Sequence, residues 1–233
     1  MKIPISKRLL CCTELIPPGA RVADIGTDHG YLSIYLIKNN LAASVIAADL
    51  RQMPLENARQ NACRFGVAER IKFVLSDGLE KIESDSIDTI VCAGMGGDLI
   101  AMILQAAPWL CDSNYTVIVQ PQSTVHELRR WLAETGFRVE EERLVRDGGF
   151  LYPVMRLRFD KPYNSTPGRH FVPEHLNGQA QFGAYLLQMR NNLRKTVDGL
   201  SRAKAGQDMD KLDYYSTALT EVEQMRVNYG ICE

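Results

Sequence analysis

The stretch VADIGTDHGYLS, residues 22–33, decides how the chain is read. An apolar, strand-like approach reaches Asp24, passes Gly26, Thr27, Asp28, His29 and Gly30, and enters a helical pattern at once. A glycine-rich strand-to-helix turn of this kind holds a ligand against the free N–H groups of a helix N-terminus. A dinucleotide site would space its glycines G-x-G-x-x-G, and here three side chains separate Gly26 from Gly30. Asp24 also stands where a pyrophosphate would approach. A carboxylate is a poor neighbour for phosphate and a good one for an ammonium group.

Outward from this turn, apolar runs at 21–25, 44–49, 71–75, 87–92 and 115–120 alternate with helical patterns at 31–38, 50–65, 98–107 and 124–135. Near-continuous β-branched strands separated by helices predict an α/β fold with a mostly parallel sheet covered on both faces. Two last strands, 137–144 and 151–159, joined at Asp147-Gly148-Gly149, predict an antiparallel hairpin at one edge. A short amphipathic helix over 5–16, stopped by Pro17-Pro18-Gly19, precedes the sheet.

From Lys161 the texture changes. Residues 161–178 carry three prolines and two glycines and read as a linker. Beyond them Leu186, Leu193 and Leu200 recur every seven residues; after Ala205-Gly206-Gln207, Leu212, Leu219, Val222, Met225 and Tyr229 continue a second helical pattern. Two readings stay open: an antiparallel, coiled-coil-like hairpin, or two helices laid on the main core. The division expected is a Rossmann-like domain over 1–160 and a helical one over 161–233.

The bulk figures exclude several classes. At 233 residues, 45% hydrophobic and 24% charged, the chain has the composition of a globular protein, and no apolar run approaches a membrane span. The N-terminus reads as a mature cytoplasmic start. Six cysteines without a CxxC pair predict buried free thiols in a reducing compartment and no metal site. A net charge of −1 gives no global attraction to nucleic acid but permits a local basic face. Arg190, Arg194 and Lys195 fall close together on one helical face, with Arg202 and Lys204 following; Lys7, Arg8, Arg129 and Arg130 are further candidates for phosphate contacts.

Three acids end successive strands: Asp24, Asp49 and Asp77. In an open α/β sheet those ends face one crevice. Asp49 suits ribose hydroxyls, and Asp77, followed by Gly78, suits an adenine amino group. Ribose and adenine without phosphates, beside a carboxylate for an ammonium group, point to S-adenosylmethionine.

The pattern DIGTDHGYL, joined by AGMGG at 93–97 and a strand ending in Gln120-Pro121, resembles the bacterial tRNA (adenine-N1)-methyltransferases that modify position 22. The likeness runs from Ser6-Lys7-Arg8-Leu9 to the C-terminus, with echoes at Trp131-Leu132, at 150–152 and at Phe182-Gly183. It implies a class I methyltransferase sheet followed by a helical, coiled-coil-like domain, with S-adenosyl-L-methionine as methyl donor, S-adenosyl-L-homocysteine as product and tRNA as substrate. No obligate protein partner is evident. The chain departs from the family pattern in carrying Asp49 for a common glutamate, Gln122 for a common asparagine and Gly30 for a common alanine.

The expected cofactor-binding residues are Asp24, Gly26, Thr27, Gly30, Asp49, Leu50, Asp77, Gly78, Ala93, Gly94 and Met95. Adenine N1 has an in-plane lone pair at neutral pH, so the protein must supply in-line geometry and a place for developing positive charge. Asp28 is the candidate for that charge contact, with His29 as its orienter, as a base contact or as a phosphate ligand. Tyr31 either covers the cofactor or fills the core. Gly94, Gly96 and Gly97 would leave room for a flipped base, and Gln120, Pro121 and Gln122 would read its edge. The alternatives are a methyltransferase of another RNA base or a small molecule, and a non-catalytic RNA-binding module.

Overall fold

The computed structural model describes residues 2–202 and 209–232. Five apolar runs become β1 (Ala20–Ile25), β2 (Ala42–Asp49), β3 (Ile71–Leu75), β4 (Thr89–Gly96) and β5 (Thr116–Ser123). The hairpin strands are β6 (Phe137–Asp147) and β7 (Phe150–Phe159). One seven-stranded sheet results, in the order β3-β2-β1-β4-β5-β7-β6. The first five strands are mutually parallel; β7 runs antiparallel to β5 and β6 antiparallel to β7. The hairpin therefore closes one side of the sheet, as its turn demanded, and β7 rather than β6 sits against the parallel part.

Helices α1 (Lys7–Leu15), α2 (Tyr31–Lys38), α3 (Gln52–Arg64), α4 (Gly97–Gln105) and α5 (Val125–Thr135) follow the expected alternation. Two apolar cores lie on the sheet's two faces, one around Ile90, Ile100 and Leu128, the other around Leu15, Ile34 and Ile118. β4 and β5 extend further than the apolar runs alone. Met95 pairs with Pro121 and Gly96 with Ser123 across an irregular register, because the strand reading stopped where side chains became small or polar.

The segment read as a linker is packed instead. It contains α6 (Pro167–Phe171), and His170, Phe171, Val172 and Leu176 are buried. Helices α7 (Phe182–Arg202) and α8 (Met209–Asn228) run antiparallel, with Phe182 against Tyr229 and Arg194 against Glu223. Their buried Leu186, Leu193, Val222 and Met225 share a third core with Leu144 and Leu151 of the hairpin. The helices thus pair with each other and also sit on the sheet's edge. Ala205-Gly206-Gln207 and Lys204 lie outside the described residues. Of the six cysteines, Cys11, Cys12 and Cys92 are buried, whereas Cys63, Cys111 and Cys232 are exposed, contrary to the expectation of uniformly buried thiols.

Candidate active site

Asp24 ends β1 in the sheet's centre, where burial pushes its carboxyl pKa upward. The hydroxyls of Thr27 (2.8 Å) and Ser33 (2.7 Å) donate to its Oδ2 and pull the other way. Register pairs Asp24 with Ala47, so Asp49 lies two residues further along the neighbouring strand. Asp49 is also buried and accepts backbone N–H bonds from Asp28 (3.2 Å) and Arg51 (2.9 Å). Each of its oxygens takes one such bond and keeps lone-pair capacity for another donor.

The turn between these acids is tightly specified. The amides of Gly26 and Thr27 both donate to Ala48 O, at 2.8 and 2.9 Å. A Cβ on Gly26, where φ is +69°, would collide with the Met95 methyl; one on Gly30, at +73°, would lie 2.9 Å from Ala58 Cβ. Asp28 has φ +51°, a left-handed conformation uncommon for a residue with a side chain. That conformation aims its N–H at Asp49 and leaves its carboxylate exposed, 3.6 Å from His29 Nε2. The His29 ring lies 5.7 Å from that of Tyr31, and its carbonyl accepts from Asn61 Nδ2 at 3.0 Å.

A cleft of about 350 Å³ opens over this turn, bounded by Asp24, Asp28, His29 and Tyr31 on one side and by Ala93 and Gly94 on the other. Ser6, Arg8 and Leu9 close it from α1 and its N-cap, so Arg8, expected at RNA phosphates, lies at the glycine turn instead. Arg8 Nη1 donates to Gln120 Oε1 at 2.9 Å, and its Nε lies 3.7 Å from Asp147 Oδ2. Asp77 and Leu50 are exposed at the ends of β3 and β2, and the Ser76 amide donates to Asp49 O, tying the two ends together. A Cβ on Gly78 would press on Ile103.

Several expectations need correcting. Gln120 is wholly buried: its Oε1 holds Arg8 and its Nε2 donates to Pro121 O, so it positions Arg8 and does not read a base. Gln122 alone of that pair is exposed. Gly97 is buried, and a Cβ there would lie 2.6 Å from Thr124 O and 2.9 Å from Leu128 Cβ. It lets α4 approach α5 and leaves no room for a base. Gly96 likewise abuts Asp98 and Ser123. Arg190 is buried near Glu223 (3.9 Å), and Arg129 is buried against Glu142 (2.5 Å), so neither reaches out to phosphate. Lys7 and Lys195 are exposed, as is Arg194, which pairs with Glu223 at 2.6 Å. Ser33, Asn61 and Asp147 were missed as supports of the site; Ser33 closes the quoted stretch and was the most findable.

A family model described as a methyltransferase domain matches residues 5–155. The tRNA (adenine(22)-N(1))-methyltransferase of Bacillus subtilis (strain 168) is 35% identical over 154 residues, covering 66% of this chain. That alignment spans 65% of the relative's own length. A crystal structure of the B. subtilis m1A22 tRNA methyltransferase superposes with a TM-score of 0.84 at 28% identity, covering 96% of this chain and 99% of that one. A Streptococcus pneumoniae structure in complex with S-adenosyl-L-methionine gives 0.78 at 26% identity, over 94% and 98% of the two chains. Because the family match runs through the strands that carry the cleft and covers more than half of the sequence, the chain belongs to the methyltransferase domain family.

Proposed function

We propose that the chain transfers a methyl group from S-adenosyl-L-methionine to N1 of an adenine in tRNA, at position 22. The observation that carries the reading is the pair of buried acids, Asp24 and Asp49, set on adjacent strand ends around a glycine turn that lacks phosphate-binding spacing. The kind of base and its position come from the likeness to the B. subtilis enzyme. An enzyme of bacterial tRNA works in the cytoplasm, and that location belongs to the proposal.

The residues present fit the donor. Asp24 offers a buried carboxylate to an ammonium group, Asp49 offers two acceptors to ribose hydroxyls, and Leu50 leaves an exposed apolar side chain beside them. Gly26 and Gly94 keep the cleft free of Cβ atoms that would meet Met95 and Arg8. When bound, the donor supplies an electrophilic methyl on a sulfonium. Asp28, exposed at the cleft, stabilises the positive charge that develops on the adenine and accepts from its N6 amino group; His29 holds the Asp28 carboxylate in place. Asp77 takes the cofactor's adenine amino group, and Gln122 faces the target base. Lys7, Arg194 and Lys195 supply exposed cations for the RNA backbone.

Unmodified tRNA incubated with labelled S-adenosyl-L-methionine should yield N1-methyladenosine at position 22 on nucleoside analysis. A different modified nucleoside would reassign the substrate. Calorimetry showing affinity for NAD and none for S-adenosyl-L-homocysteine would end the methyltransferase reading.

A further inference from the structure

A second cleft, of about 440 Å³, opens beside the first. Its floor is the end of β5, from Pro121 to Thr124. Phe150 and Tyr152 of the hairpin form one wall, and Gln188 and Asn192 of α7 the other. Gln122 also lines it, and the Nε2 of that side chain stands 3.6 Å from where a Cβ on Gly94 would lie. Gly94 lines the first cleft, so Gln122 lies next to both spaces.

We propose that this second cleft receives the unstacked base of a nucleotide flanking the methylated adenine; the inference rests on the tRNA reading above. Its volume falls within the roughly 300–1,000 Å³ of sites for small organic ligands. Phe150, 63% exposed, stands just after the Gly148-Gly149 turn with its ring 6.3 Å from that of Tyr152. An aromatic face left in solvent beside a cleft is a stacking surface for a splayed base. The carboxamides of Gln188 and Asn192 each carry donors and an acceptor, the complement of a base edge.

Deeper in, the His126 ring stacks on Phe171 at 4.4 Å and its Nε2 meets Tyr215 Oη at 3.1 Å, so the interior is already built. Among the described residues, no aspartate or glutamate lines the cleft. Lys195 is exposed two helical turns beyond Gln188, on the same face of α7, where the backbone phosphate of such a nucleotide would pass. An unstacked base satisfies the aromatic wall, the amides and this cation together.

The test uses full-length protein with unmodified tRNA and the exposed-site variants Phe150→Ala and Asn192→Ala. Phe150→Ala should raise KM for tRNA about tenfold, the loss of one stacked base, with kcat and S-adenosyl-L-homocysteine affinity within about twofold of wild type. Phe150→Trp should keep the native KM. Removing the base on one side of the target adenine, by an abasic substitution, should raise the wild-type KM to the same extent and have no further effect in Phe150→Ala. Native KM values in both alanine variants would overturn the proposal, as would abasic and Phe150→Ala losses that multiply. A wild-type protein that methylates no tRNA would overturn the tRNA reading itself, before any variant is compared.

Discussion

Around the cofactor turn, Asp24 draws its partners from close by: Thr27 is three residues away and Ser33 nine. At the seat of the C-terminal helices, Arg129 gathers Glu142, the carbonyls of His170 and Phe171, and Tyr185, up to 56 residues along the chain. His175 adds a 2.7 Å contact to the second oxygen of Glu142. Both regions bury charge, for different ends. The turn sets a carboxylate at a cleft, whereas the Arg129 network joins β6, α5, α6 and α7 into one unit. Damage at the turn should therefore stay local and appear as lost function; damage at the network should appear as lost stability.

The largest expected effect lies in the network. Glu142→Ala leaves Arg129 buried without its counter-charge, which costs about 3–5 kcal/mol in comparable pairs. Thermal unfolding should fall by on the order of 10 °C, given about 2–4 °C per kcal/mol for a chain of this size. If the variant melts like wild type, the network is not what holds the helices down.

Slightly smaller, and opposite in kind, is Asp49→Ala. Removing charge-assisted ribose contacts should weaken S-adenosyl-L-homocysteine by ~10²-fold, about 2.7 kcal/mol, in calorimetry, with a folded protein by circular dichroism. Unchanged affinity would remove Asp49 from the cofactor site. Asp28→Asn comes next. Single-turnover rates with both ligands saturating should drop by ~10²-fold, about 2.7 kcal/mol, while dissociation constants hold. Native rates in that variant would leave Asp28 as a turn residue and pass the charge contact to His29 or Gln122.

The smallest effect is a pH dependence at the helical seat. Burial lowers the pKa values of His126 and His170 below the ordinary 6.5. Their folded values lie below their unfolded ones, so the stability they contribute is complete above 6.5 and is lost as the pH falls through that value toward the folded pKa. The melting temperature should decline from pH 7.5 to 5.5, and His126→Gln should flatten the slope. An identical slope in that variant would place the titration elsewhere.

The same contrast explains what was legible in the sequence. Glycines, acids and a strand-to-helix change within a dozen residues announced the turn, since the hydrogen-bond partners of its two buried acids are local or sit at a neighbouring strand end. The strands and their parallel order followed from apolar runs. By contrast, Arg129 and Arg190 read as surface cations because a carboxylate 13 or 33 residues away leaves no mark beside them. Gln120 read as a base contact because its partner, Arg8, is 112 residues distant. The supposed linker misled through its prolines: Pro167 opens a helix, and the buried Phe171 and Val172 that pin it are too few to form a period.

Asp24 carries a consequence for descent. Its carboxylate is buried in a sheet centre where ionisation is disfavoured, and the Thr27 and Ser33 hydroxyls offset only part of that cost. On the function proposed here, the positive end of the methyl donor offsets the rest. In a duplicated copy freed from methyl transfer, the proposed reason for an acid at this position would be gone. Among relatives of uncertain activity, the residue at this one strand end is thus a marker of whether the fold still serves its donor or survives as a scaffold.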